Sequence, residues 1–135
     1  MNPLTKVAEL MATELVTITQ HTPLHEAKEL FEKHGIHHLP VVGHAGELEG
    51  MLSHSDFLKL VGRESGQLTA GDMMISKLAK LTADDSIRTA ANVFRLNKFH
   101  ALPVVDGEKL IGIITTHDLI RLIDDEKVEL KDYSK

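Results

Sequence analysis

The sequence predicts an α+β fold in which two β-α-β-β-α repeats pack with pseudo-two-fold symmetry through their sheets. Three observations predict it. The passage HHLPVVGHAGELEGMLSHSD (37–56) returns as HALPVVDGEKLIGIITTHD (100–118). The match is longer than the passage, since Glu9–Val42 aligns with Asp72–Val105 and Leu48–Val61 with Leu110–Ile123, one residue being lost in a turn. Identities along this register include Met11/Met74, Thr19/Thr82, Ala27/Ala90, Phe31/Phe94, His37/His100, Gly50/Gly112 and Asp56/Asp118. Finally, two copies fall short of the three or more that a solenoid requires, and each is too small to be more than marginally stable alone. A pair sharing a buried face satisfies both constraints.

Each element follows from local chemistry. Short helical turns are expected ahead of each copy, at Val7–Met11 and Ala70–Met74. Val16-Thr17-Ile18-Thr19 reads as a short β-branched strand. Thr22-Pro23 then opens a helix over Leu24–His34, with proline in its first turn; Leu24, Ala27, Leu30 and Phe31 share one face and Gly35 stops it. Leu39–Val42 and Leu48–Leu52 form a hairpin around Gly43-His44-Ala45-Gly46. A second helix is expected from about Ser55 to Val61. The second copy repeats the order: strand near Ala79–Thr82, helix Ser86–Asn97, hairpin strands Leu102–Val105 and Leu110–Thr115, helix from Thr116 to about Asp125. The domain limits are 7–62 and 70–125, with a polar linker at 63–69 and a charged tail at 126–135.

Composition excludes several classes. The 135 residues are 42% hydrophobic and 26% charged, the balance of a globular chain. The absence of cysteine excludes disulfides, thiolate metal sites and a cysteine nucleophile, and makes the cytoplasm the expected location. No apolar run approaches the roughly 18 residues of a membrane span, and the N-terminus does not read as a secretory signal. A net charge of -5 argues against a nucleic-acid partner. Nine histidines make the charge sensitive to mildly acidic pH.

Both "LPVV" on the first hairpin strand and "G-h-h-[ST]-x-x-D" (h, apolar) leaving the second are duplicated at matching spacing, from about Val7 to Asp125. In this the chain resembles a tandem pair of cystathionine-β-synthase (CBS) domains, the arrangement called a Bateman module. The resemblance implies a regulatory module with two symmetric clefts between repeats, which often bind AMP, ADP, ATP or S-adenosylmethionine. It also implies association into a disc-shaped homodimer, and allows for members with no known ligand.

The signature residues carry two compatible readings. Ser53-His54-Ser55-Asp56 and Thr115-Thr116-His117-Asp118 are each a hydroxyl followed three places later by an acid, which is a helix-capping box. In the functional reading the Asp56 or Asp118 carboxylate accepts hydrogen bonds from a ribose diol, as acids do in dinucleotide folds, while the hydroxyl and the helix-start N–H groups take phosphate. His37 and His100, one residue ahead of the "LPVV" strand, are structural or, by the resemblance, face a central cleft near phosphates. His38 stands where relatives carry a basic residue, and Ala101 replaces it in the second copy, so the clefts are expected to differ. Apolar walls come from Val16, Ile36 and Ile113 for the cleft carrying Asp118, and from Met51, Ala79 and Phe99 for the cleft carrying Asp56. His117 replaces a small hydroxyl residue, whereas Ser55 keeps it; the cleft with Thr115 and Asp118 is nevertheless the cleaner match.

His21/His25 and His34/His37/His38 lack a metal-binding spacing such as H-E-x-x-H, so no metal is expected. No nucleophile–base pair suggests catalysis, and no cofactor is required. The expectation is a module that senses an adenosine-containing small molecule, forms a homodimer and reports to an effector protein. A ligand-free structural or dimerisation module is the alternative.

Overall fold

A computed structural model describes residues 2–60 and 68–125. The end of the first copy's last helix at Val61, the linker up to Gln67 and the tail 126–135 lie outside the described residues. In the first copy, α1 (Leu24–His34) is followed by the antiparallel strands β1 (His38–Val42) and β2 (Leu48–Ser53) and by a 3-10 helix at His54–Leu60. In the second, α2 (Ala70–Met73) leads to β3 (Leu81–Thr82), α3 (Ile87–Leu96), the hairpin strands β4 (Ala101–Asp106) and β5 (Lys109–Thr115), and α4 (Thr116–Asp124).

The first helix occupies the span its apolar spacing predicts, burying Leu24, Ala27 and Phe31. It ends where Gly35 takes the left-handed conformation, φ 61°, closing the last turn with its N–H on the Phe31 carbonyl. Pro23 stands just outside the helix, not in its first turn. Its extended ψ of 145° makes it the N-cap, and the Leu24 N–H is satisfied by the Leu68 carbonyl. Ser86 caps α3 by accepting the Thr89 N–H at 3.2 Å.

Two expected elements are reduced. Val16–Thr19 is no strand but a parallel bridge at Ile18, which donates to Pro40 O and accepts from Val42 N–H. A proline at the centre of β1 leaves that edge one donor short, so little ladder can form beside it. Its counterpart β3 pairs in parallel with β4 over only two residues. The helix expected after β2 is a 3-10 helix.

Each hairpin sheet is buried on both faces, so β1 and β4 read as unbroken apolar runs instead of alternating. One core gathers Ile18, Leu24, Ala27, Phe31, Leu39, Val41 and Leu52; the other gathers Leu81, Ala90, Phe94, Leu102, Val104 and Ile114. The leading turns cross over. Val7, from the 3-10 turn Val7–Glu9 before the first copy, belongs to the second core, and Ala70 of α2 belongs to the first. The crossings are held by twin bridges: Ala12 exchanges backbone hydrogen bonds with Ile113 at 2.8 and 3.0 Å, and Ile75 with Met51 at 2.9 Å each way. The hairpins also meet at their tips, where Leu48 N–H donates to Glu108 O and Leu110 N–H to Gly46 O.

Candidate functional site

Packing the two sheets about this pseudo-axis leaves two clefts, one at each helix entrance. The larger, about 710 Å³, is walled by Val16, Ile36, Pro40 and Ile113, with Thr115, Thr116, His117 and Arg121 on the α4 side and with His37, His38 and His100 also in its lining. The smaller, about 280 Å³, is walled by Met51, Ile75, Leu78, Ala79 and Phe99, with Ser53, Ser55, Asp56 and Lys98. His38 and His100 line both. Ligand sites commonly run from about 300 to 1,000 Å³, so the larger falls within that range and the smaller at its lower limit.

The two helix entrances differ in detail. At α4, the Asp118 carboxylate accepts the Thr115 N–H at 2.8 Å, and Thr115 Oγ1 accepts the Asp118 N–H at 3.2 Å, a complete capping box. The other Asp118 oxygen lies 3.9 Å from the Arg121 guanidinium. Asp118 is thus tied to its own helix and is not among the residues that line the larger cleft. In the first copy Asp56 accepts the Ser53 N–H at 2.8 Å, but the Ser53 hydroxyl lies 2.9 Å from that of Ser55. Asp56 is 4% exposed and does line its cleft.

Of the residues singled out from the sequence, all but Asp118 line one of the clefts, in the two groups their repeat positions imply. Sequence reasoning missed Arg121, Thr116, Lys98, Ile75 and Leu78. Arg121 was legible in principle: it lies one helical turn after His117, and a helix entered at Thr115 presents that face to the cleft. Lys98 and Leu78 sit in irregular connections with no periodic signal.

His38 is held below the ordinary imidazole range, first by burial, then by repulsion from His37 and His100, with Asp56 opposing. At neutral pH it is an uncharged donor–acceptor. Among the described residues no group of three His, Cys, Asp or Glu side chains is placed to hold a metal ion, and no helix is long and apolar enough to cross a membrane.

Comparison with known proteins fits this geometry. An uncharacterized protein of Methanocaldococcus jannaschii is 30% identical over 91% of this chain, which spans 33% of that relative's length. The chain spans a still smaller share of several homoserine O-acetyltransferases that it also matches. Among solved structures, the CBS domain pair of protein MJ0100 in complex with 5′-methylthioadenosine and S-adenosyl-L-methionine superposes with a TM-score of 0.84 at 26% identity, covering 93% of this chain and all of that one. CBSX2 in complex with AMP gives 0.81 at 27% identity, covering 88% and 96%. The CBS domain profile matches residues 7–63 and again 70–125, so the chain belongs to the CBS domain family as a tandem pair.

Proposed function

We propose that this chain is a non-catalytic regulatory module that binds an adenosine-containing ligand between its repeats. One observation carries the reading: each cleft joins apolar walls fit for a flat purine to polar groups gathered at a helix entrance. The solved CBS pairs with AMP and with S-adenosylmethionine support it. In the larger cleft, Val16, Ile36 and Ile113 would hold the base and Thr115, His117, His37 and His100 the polar end, with Asp118 reaching a ribose only by giving up its contact with Arg121. In the smaller cleft, Met51, Ala79 and Phe99 would take the base, and Asp56, Ser53, Ser55 and His38 the polar end. A ligand touching both repeats favours whichever relative arrangement it binds better, and an effector protein reads that preference.

A thermal-shift titration tests the reading. AMP, ATP, S-adenosylmethionine or 5′-methylthioadenosine should raise Tm with concentration, by the equivalent of about 2.7 kcal/mol at a hundredfold excess over Kd. No shift with any of them at millimolar concentration would overturn it. Asp118→Ala separates anchor from cap: loss of the cap alone costs about 0.5–2 kcal/mol of stability, whereas a ribose contact also weakens nucleotide binding selectively.

The ligand-free alternative draws on one feature. No residue of α4 is buried, and Ile120 and Ile123 are 60% and 54% exposed. A second copy covering this strip would give the homodimer. Ile120→Glu should then shift the mass measured by light scattering from dimer to monomer; an unchanged mass removes this surface from the interface.

A further inference from the structure

We propose, resting on the adenosine-ligand reading, that Arg121 makes the larger cleft prefer phosphorylated over unphosphorylated adenosine ligands, by exchanging the Asp118 carboxylate for the ligand's phosphate. Two observations meet in this residue. Arg121 is the one lysine or arginine among the residues that line the larger cleft, and its guanidinium Nη1 lies 3.9 Å from Asp118 Oδ1. Thr115, Thr116 and His117 bring the start of the same helix to that cleft, and Arg121 follows His117 by one helical turn, so the two share a face.

The two Asp118 oxygens are engaged differently. Oδ2 accepts the Thr115 N–H at 2.8 Å and holds the cap. Oδ1 is turned to Arg121, so a ribose hydroxyl that leaves the cap intact has to take this oxygen. Releasing Arg121 and opening Asp118 are therefore one event. The pair is easily traded, because the arginine side chain is 68% exposed and 3.9 Å is too long for a hydrogen bond, so water screens it and it contributes little. A phosphate offers the guanidinium shorter, paired hydrogen bonds, which are stronger. A ligand carrying both groups thus supplies a new partner to each half of the broken pair. One with a ribose and no phosphate satisfies Asp118 and leaves the guanidinium to water.

The rest of the larger cleft does not supply this preference in the same way. Glu14, the one carboxylate in its lining, repels a phosphate. The smaller cleft is built differently again: its acid, Asp56, is itself in the lining, no arginine stands there among the described residues, and its lysine, Lys98, comes from the connection ahead of β4 and not from the signature helix.

The test is isothermal titration of the full chain with AMP and with 5′-methylthioadenosine at about pH 8, where an ordinary imidazole is uncharged, comparing wild type, Arg121→Gln and Arg95→Gln. Arg95, exposed in the last turn of α3, lines neither cleft and serves as the charge control. Arg121→Gln should weaken AMP binding about tenfold, the size of one charge-assisted hydrogen bond, without weakening the thioether ligand, and Arg95→Gln should weaken neither. Both substitutions fall at exposed positions, and urea unfolding checks that each variant is folded. AMP affinity unchanged by Arg121→Gln, an equal loss for both ligands, an equal loss of AMP affinity in Arg95→Gln, or a wild type that takes only the thioether overturns the exchange and leaves the adenosine reading standing. Binding of neither ligand to the wild type overturns both.

Discussion

Gly50 and Gly112 illustrate how much a single position can decide. A Cβ at Gly50 would come 2.6 Å from Met74 Sδ and 3.1 Å from the Ile75 carbonyl; at Gly112 it would come 2.5 Å from Met11 Sδ and 3.1 Å from the Ala12 carbonyl. The methionine can move, but the carbonyl is fixed by the twin bridges. Gly112→Ala is therefore expected to lower stability by about 1–3 kcal/mol, measured by urea unfolding, without changing the far-UV spectrum. An equally stable variant would show that the crossing segment is loosely held. At His38 the prediction concerns pH. Because its folded pKa is lowered, the unfolded chain takes the proton first as pH falls. The contribution of neutral His38 is thus fully present above about pH 6.5 and is lost as pH falls from there through its lower folded value. His38→Gln should flatten this part of the stability profile; an unchanged profile would assign the acid sensitivity to other groups. Both glycines and both methionines were visible in the sequence as repeat identities. Their contact was not, since a pattern of identities does not say which copy each residue touches.

At the scale of elements, legibility followed the strength of the local signal. The helix α1 matched its predicted span because an apolar stripe and a left-handed glycine fix its face and its end. The hairpin strands were recovered to within a residue or two, since turn glycines bracket them. The strand expected at Val16–Thr19 reduces to a bridge because β propensity needs a partner edge to become a ladder, and Pro40 denies it one. The two signature helices were expected to be alike, yet one is 3-10 and the other α. Thr115 Oγ1 accepts the Asp118 N–H, and the Ser53 hydroxyl lies 2.9 Å from that of Ser55, a neighbour that the second copy replaces with His117. Ser55→Ala tests this difference. Removing this one exposed hydroxyl contact should leave stability within about 1 kcal/mol of the wild type, measured by urea unfolding. A clear loss would instead show that the serine pair itself stabilises this entrance.

For the molecule as a whole, the pseudo-symmetry was readable because two copies of one motif have to bury one another. The way they do so was not readable. Val7 and Ala70 are apolar residues in short turns, and nothing in their spacing announces that each completes the other repeat's core. Val7→Ala is expected to cost about 1–3 kcal/mol, with hydrogen exchange accelerating first in β4 and β5 rather than in β1 and β2. Acceleration confined to β1 and β2 would contradict the crossed arrangement. A ribosome makes this chain from its N-terminus, so the seventh residue emerges roughly a hundred positions before the strands that need it. Val7 must therefore wait until the second repeat has been synthesised before its core can close, so the two repeats cannot finish folding one after the other.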